Sequence, residues 1–293
     1  MPKKILMTGI TGFLGSQLAK KILSNGYEVI ALKRKTSSLE KIESVLSRVI
    51  LYDLENIDFV EIFKSHPEID IIIHTATCYG RNNESTCQII EANTSFPLRL
   101  LDAAISSGIN SFINTDTAIE KTLNKYSLSK NQFREWGKYY SLQNKIHFTN
   151  LKLEHFYGPG DRESKFTTYV INNCLDKNIP ELKLTLGEQK RDFIYIDDVV
   201  SAYLILLEKN NTFSDGFKEF EIGSGHAVSI KYFATTVHRL SESECILNFG
   251  AIPYRKKEVM LSEANIAPLT GLGWTCKIAL EQGLKMTIES MKQ

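Results

Sequence analysis

Three glycines at three-residue spacing, set between an apolar run and an amphipathic one, constrain this chain more than any other feature. Residues 4–7 are apolar enough for a buried strand. Thr8-Gly-Ile-Thr-Gly-Phe-Leu-Gly15 follows at once and opens a helix-like segment over residues 13–24. Gly9, Gly12 and Gly15 permit a tight turn, and they let the backbone around Thr11, Phe13 and Leu14 approach a bound group closely. The N–H groups at a helix start carry partial positive charge and suit a pyrophosphate. A glycine turn also occurs with no ligand. A strand before it and a helix after it are the context that favours a dinucleotide site.

The alternation continues through the first half of the chain. Short apolar runs stand at 29–32, 49–51, 69–73, 112–113 and 147–153, with helix-like stretches at 39–46, 59–64, 85–107 and 126–142. This pattern predicts a parallel sheet with helices on both faces. Ile69-Asp-Ile-Ile-Ile is almost continuously apolar, as a strand buried on both faces requires. After about residue 153 the pattern changes. Glycine and proline cluster at Tyr157-Gly-Pro-Gly-Asp, a strand and helix follow over 191–207, and a last amphipathic helix is expected at 278–291. The predicted fold is α/β: a Rossmann-type doubly wound parallel sheet with a smaller α/β substrate-binding domain. Residues 1–153 form the dinucleotide-binding domain, 191–209 return to it, and 154–190 with 210–293 form the second domain.

Composition narrows the function classes. The chain has 293 residues, 43% hydrophobic and 24% charged, enough to bury a core without metal or disulfide support. A net charge of +1 argues against nucleic-acid or membrane binding through bulk charge. Cys78, Cys87, Cys174, Cys245 and Cys276 are scattered, with no CxxC, and read as reduced thiols of a cytoplasmic protein. The histidines show no ligand spacing, so no metal is expected. No apolar run approaches the ~20 residues of a membrane span, and the first apolar stretch is too short and glycine-broken for a signal peptide.

The cofactor is read from the end of the second strand. An acid there holds a ribose 2′-hydroxyl, whereas a basic group suits a 2′-phosphate. The strand runs into Lys33-Arg34-Lys35 and then three hydroxyl residues, so NADP(H) is expected, with NAD(H) over a solvated basic turn as the alternative. Asp53 and Leu54 follow the third strand and are placed at the adenine, with a helix cap as the other reading of Asp53. Thr75, Ala76 and Thr77 follow the fourth strand and are placed along the cofactor.

Tyr126-Ser-Leu-Ser-Lys130 opens a helix with a phenol and an ammonium four residues apart, hence on one face. A tyrosine with pKa near ~10 exchanges protons poorly at neutral pH, and a neighbouring cation lowers that value. Thr115, at the end of the fifth strand, can hold a substrate carbonyl. Asp116 and Thr117 beside it either touch substrate or cap a turn. Thr115, Tyr126 and Lys130 are therefore the expected catalytic residues.

Gly9, Gly12, Gly15, Thr115, Tyr126 and Lys130 together resemble the extended short-chain dehydrogenases/reductases that act on nucleotide sugars. The similarity continues through Leu153-Glu-His-Phe-Tyr-Gly-Pro-Gly-Asp161 and Arg191-Asp-Phe-Ile-Tyr-Ile-Asp-Asp198 to Leu272-Gly-Trp274. Within that family Asn114-Thr-Asp-Thr, Gly187-Glu-Gln-Lys-Arg-Asp-Phe-Ile and Phe249-Gly-Ala-Ile are similar to the reductases of CDP-4-keto-3,6-dideoxyhexoses. These make abequose-type donors for bacterial O-antigen. The resemblance implies a nucleotide-sugar substrate, NADPH reduction at C4, and a homodimer through the helices at 85–107 and 126–142. It implies Arg191 and Arg255 on the diphosphate and Lys165 and Phe166 along the nucleotide. Thr77, Tyr79 and Arg81 follow the fourth strand and either line the sugar pocket or form a polar loop over the cofactor. His155 stands where relatives carry a substrate-binding asparagine, and a satisfied buried histidine is its other reading. Asn93 reads as a helix-surface residue. The family's dehydratases carry an acidic pair after the catalytic threonine. Asp116-Thr117 lacks the second acid, which disfavours dehydration. A C4 epimerase with bound NAD, and a non-catalytic NADP(H)-binding regulator, are the remaining readings.

Overall fold

The computed structural model describes residues 3–55, 57–209 and 216–292. The chain divides into two compact units, Met1–Lys152 with Tyr203–Phe220, and Leu153–Ala202 with Glu221–Gln293.

The first unit carries, among the described residues, a seven-stranded sheet. It contains β1 (Lys4–Thr8), β2 (Glu28–Lys33), β3 (Val49–Asp53), β4 (Ile69–His74), β5 (Ser111–Thr117) and β6 (His147–Leu153), with Phe217–Ile222 beyond β6. The pairs β1–β2, β1–β4, β2–β3 and β4–β5 are parallel. Ile5, Leu6, Met7, Ile71, Ile72 and Ile73 are fully buried, so apolar side chains fill both sheet faces. Register sets the functional edge. Thr8 lies opposite His74, and His74 opposite Asn114. The segments leaving β1, β4 and β5 therefore emerge side by side at the carboxyl ends of the strands, where open α/β sheets place ligands.

Helices α1 (Phe13–Ser24), α2 (Phe59–Ser65), α3 (Thr86–Ile90), α4 (Phe96–Ser106) and α5 (Lys125–Leu142) flank this sheet. Two expected helices differ in kind. Residues Glu40–Arg48 form a 3₁₀ helix, and its buried residues, Ile42 and Val45, are three apart as that tighter winding demands. The long helix at 85–107 is interrupted by a π turn, Glu91–Ser95, which turns Asn93 and Thr94 into the protein. Behind the functional edge His74, Phe112, Phe133 and Phe148 pack ring on ring, with centroids 5.5–6.1 Å apart.

The second unit contains β7 (His155–Tyr157), α6 (Phe166–Leu175), β8 (Glu181–Leu184), β9 (Lys190–Tyr195) and the start of α7 (Ile196–Lys209). After β10 (Phe217–Ile222) come β11 (Ala227–Ser229), α8 (Ile230–Ser241), β12 (Ile246–Phe249), β13 (Leu261–Ser262), α9 (Ala267–Gly271) and α10 (Leu280–Met291). β9 is flanked by β11 and β13 and also pairs with β7, so it does not return to the seven-stranded sheet. The part of 191–209 that lies with the first unit is the carboxyl half of α7, from Tyr203. The boundary expected at residue 210 falls on 210–215, outside the described residues. Asp192 is fully buried and accepts from the backbone N–H groups of Ser224, Gly225 and Ala264, which ties two loops to β9. Among the described residues no helix is long and apolar enough to cross a membrane.

Candidate active site

The glycine turn packs backbone closely on backbone and opens directly into a helix start, as a pyrophosphate site requires. Gly9 sits at φ +75°, and a Cβ there would stand 2.6 Å from the Ala76 nitrogen and 2.7 Å from Thr75 Oγ1. A Cβ on Gly15 would fall 2.1 Å from the Gly9 carbonyl oxygen. The Gly12 N–H donates to that carbonyl at 2.9 Å, and Gly12 is the N-cap of α1. It has no side chain to satisfy the leading N–H groups, and no acid stands in the first turn. The turn thus fits a dinucleotide. Thr11 is half-buried on it. Phe13 and Leu14, the first two residues of α1, have buried side chains.

The segment after β4 is knitted to the end of β1. Thr75 Oγ1 donates to the Thr8 carbonyl at 2.7 Å, and the Ala76 N–H donates to Thr8 Oγ1 at 3.3 Å. Thr8 Oγ1 lies 2.7 Å from His74 Nδ1. Burial, and then the charge of Lys130, push the His74 pKa well below the ordinary value, so the ring is neutral. The sequence reading passed over His74, although a histidine closing so apolar a strand was a visible signal.

At the end of β2 the outcome is mixed. Lys33 forms an ion pair with Asp53, so the acid expected at the adenine is engaged by the first lysine of the basic turn. It is not a helix cap either, because Asp58 caps α2 by accepting from the Val60 N–H at 2.9 Å. Leu54 donates its N–H to the Lys33 carbonyl at 2.8 Å. Arg34 is exposed and supplies the guanidinium of the turn.

Tyr126 and Lys130 are set by a capping box. Asn124 accepts from the Ser127 N–H at 2.8 Å and starts α5 at Lys125. The Tyr126 ring lies 5.0 Å from that of Tyr79, and Arg81 stands over Tyr79 at 5.3 Å. Burial first, then Tyr79 and Asp116, push the Tyr126 phenol well above its ordinary value, against hydrogen bonds from Thr117 and Thr77. Lys130 is not among the largest of these influences. The acidified phenol expected from the four-residue spacing is therefore replaced, in the chain by itself, by a firmly neutral one. Lys130 is 2% exposed, and burial pulls its ammonium down to about 8 while Asp116 opposes the fall.

Asp116 is held inside the protein. It is 5% exposed, with one oxygen accepting from the Thr117 N–H at 2.8 Å and the other from Asn150 Nδ2 at 3.0 Å. Of its two readings, substrate contact or turn cap, the structure shows the local bond to the Thr117 N–H, and the carboxylate also supports the charge of Lys130. Thr117, 8% exposed, accepts from the Ile119 N–H through its hydroxyl at 3.2 Å. Thr115 is half-buried, with Oγ1 2.6 Å from the hydroxyl of Tyr203 on α7.

Asn93 corrects the surface reading outright. It is fully buried. Its amide accepts from Thr77 Oγ1 at 3.2 Å and the Cys78 N–H at 2.7 Å, and donates to the Cys78 carbonyl at 2.8 Å and Ser129 Oγ at 3.0 Å. It thereby ties the loop carrying Thr77 and Tyr79 to the helix carrying Tyr126. Only the π turn gives it that direction, and nothing in the local sequence announces that turn.

In the second unit the expected substrate residues are engaged locally. His155 Nδ1 lies 3.2 Å from Glu154 Oε2, and its ring packs edge-on against Phe193. Lys165 pairs with Asp161 at 3.1 Å and stands 3.5 Å over the Phe156 ring. Phe166 packs against Phe233. Arg191 pairs with Glu258 at 2.5 Å, and Arg255 is exposed in the same segment as that glutamate.

A neutral phenol, a threonine hydroxyl and a buried ammonium thus stand at the sheet edge that also carries a pyrophosphate-fitting turn. Such a set can give a proton to an oxygen that gains negative charge. Residues 5–223 match the model of the NAD dependent epimerase/dehydratase family. The chain is 37% identical to CDP-abequose synthase of Salmonella muenchen, covering 99% of this chain and 98% of that one. It is 36% identical to the CDP-abequose synthase of Salmonella typhimurium, covering 98% of each. In fold it is similar to UDP-glucose 4-epimerase of Thermotoga maritima, solved with UDP-glucose, at a TM-score of 0.85 and 23% identity over 99% of this chain and 98% of that one.

Proposed function

The chain belongs to the NAD dependent epimerase/dehydratase family, and from that premise we propose that it is an NADPH-dependent reductase of the C4 ketone of a nucleotide-linked 4-keto-6-deoxyhexose. The CDP-4-keto-3,6-dideoxy sugar is the favoured substrate, because the two relatives at 36–37% identity over nearly the whole chain are named for CDP-abequose. Enzymatic action on a nucleotide sugar with a nicotinamide cofactor is common ground for the family and those relatives. The observation that carries the finer reading is the pairing of a neutral Tyr126 with an Asp116 committed inside the protein. The site offers proton donors and holds back its carboxylate, which suits a ketone becoming an alkoxide and ill suits elimination of water.

The glycine turn and the α1 N-terminus hold the pyrophosphate, Arg34 favours a 2′-phosphate, and Thr75, Ala76 and Thr77 line the cofactor. A nicotinamide held there would supply the hydride for C4. Thr115 holds the carbonyl oxygen, Tyr126 gives its proton to the alkoxide, and Lys130 lends positive charge as the phenolate forms. Tyr79 and Arg81 line the sugar. Arg191 already holds an anion, the Glu258 carboxylate, and a sugar diphosphate takes that place with Arg255 beside it. The exposed Leu128, Trp136, Tyr139 and Leu142 of α5 give the expected homodimer its apolar face.

The test is NADPH consumption with a panel of 4-keto nucleotide sugars. Oxidation of one NADPH per CDP-4-ketohexose is expected, with Tyr126→Phe slower by about 10²–10⁴-fold. Copurified NAD and equilibration of C4 epimers without net consumption would sink the proposal in favour of the epimerase.

A further inference from the structure

Tyr203 lies in the same unit as the catalytic residues and is fully buried on α7. Its hydroxyl stands 2.6 Å from Thr115 Oγ1. Two hydroxyls in contact share one proton between them and leave the other to point elsewhere. The more acidic one donates. A phenol ionises near pH ~10, far below an aliphatic alcohol, and its oxygen lone pairs are drawn into the ring. Burial pushes Tyr203 up further, so the phenol keeps its proton. The geometry allows either hydroxyl to donate; the acidity order makes Tyr203 the donor and directs the Thr115 proton outward.

We propose that Tyr203 is a positioning residue that makes Thr115 an obligate hydrogen-bond donor, so that the site selects the ketone over the alcohol at C4. A carbonyl oxygen only accepts, and its demand grows as it becomes an alkoxide. Tyr126 and a committed Thr115 then present two donors to one oxygen, with the Tyr203 hydroxyl polarising the second. An alcohol also needs an acceptor for its own proton, and a threonine already fed by Tyr203 is a poorer one. Tyr79 raises the pKa of both Tyr126 and Tyr203, so both phenols lie within electrostatic reach of one ring. The assignment rests on the ketoreductase reading above and adds the direction of the hydrogen-bond chain.

The experiment is a double-mutant cycle of Tyr203→Phe and Thr115→Val, followed by NADPH consumption with the 4-keto nucleotide sugar. Tyr203→Phe keeps the ring and removes the hydroxyl. It is expected to lower kcat about five- to tenfold with KM for the ketone within about twofold, the value of one hydrogen bond strengthened in the transition state. In the Thr115→Val background the same change is expected to have no further effect. An unchanged kcat, or equal losses in both backgrounds, overturns the relay while leaving the ketoreductase intact. A wild type that consumes no NADPH overturns both. Should Tyr203→Phe not fold, NMR of the unsubstituted chain gives the second test. A slowly exchanging tyrosine hydroxyl proton is expected to move upfield in Thr115→Val, and one that stays in place overturns the proposal.

Discussion

Lys130 carries a charge where the protein offers little to stabilise it. Burial pulls its ammonium down to about 8, and Asp116 limits the fall. If the ammonium is the form that supports the phenolate, kcat/KM falls as pH rises through about 8, and Asp116→Asn moves that alkaline limb to lower pH. A pH–rate profile of both proteins checks this, and a limb that ignores Asp116→Asn refutes the electrostatic role. The stability sign follows from the same shift. The folded value lies below the unfolded one of ~10.4, so between about 8 and that value the unfolded chain binds more protons. This group's contribution to stability therefore rises with pH in that window. Below pH 8 the buried cation destabilises the fold, a burden retained at a site where function needs a charge.

At the scale of elements, α5 is held against the sheet by an unusual glycine. A Cβ on Gly137 would meet three Phe148 ring atoms at 2.2–2.4 Å, so α5 sits over β6 at a distance only glycine allows. Alanine is the better helix former by up to about 1 kcal/mol, yet Gly137→Ala is expected to destabilise by about 1–3 kcal/mol through overpacking. Denaturant unfolding measures the difference, and a stabilised variant would mean that α5 moves freely over β6. The capping residues that begin α3 and α5, Ser85 and Asn124, stand in the sequence where those helices start. The π turn does not announce itself, because Glu91-Ala-Asn-Thr-Ser is an unremarkable helical stretch. Its reward is tertiary: the buried bonds of Asn93 and the bond from Thr94 Oγ1 to the Ser129 carbonyl.

For the whole molecule the open question of specificity is electrostatic. Lys33 is paired with Asp53, which leaves exposed Arg34 and Lys35 as the cations of the basic turn, and of the two only the Arg34 guanidinium can grip a 2′-phosphate bidentately. Arg34→Ala is expected to weaken NADPH about 10- to 100-fold, the range of a charge-assisted contact, and to leave NADH nearly unchanged. Fluorescence titration with both cofactors decides it, and equal losses for the two would remove Arg34 from the choice.

The order of elements up to about residue 153, the parallel sheet, the glycine turn and the YxxxK helix were legible from residues alone. Each rests on a local rule: side-chain periodicity, the steric freedom of glycine, and the angular repeat of a helix. The engagement of Asp116 by Asn150, of Asp53 by Lys33 and of Thr115 by Tyr203 was not legible, since each pair joins residues distant in the chain. The direction of the Tyr126 shift belongs with them. Spacing brings an ammonium one helical turn away, but the free energy of a charge is set by everything that surrounds it. Only the packed interior decides how much water those groups retain.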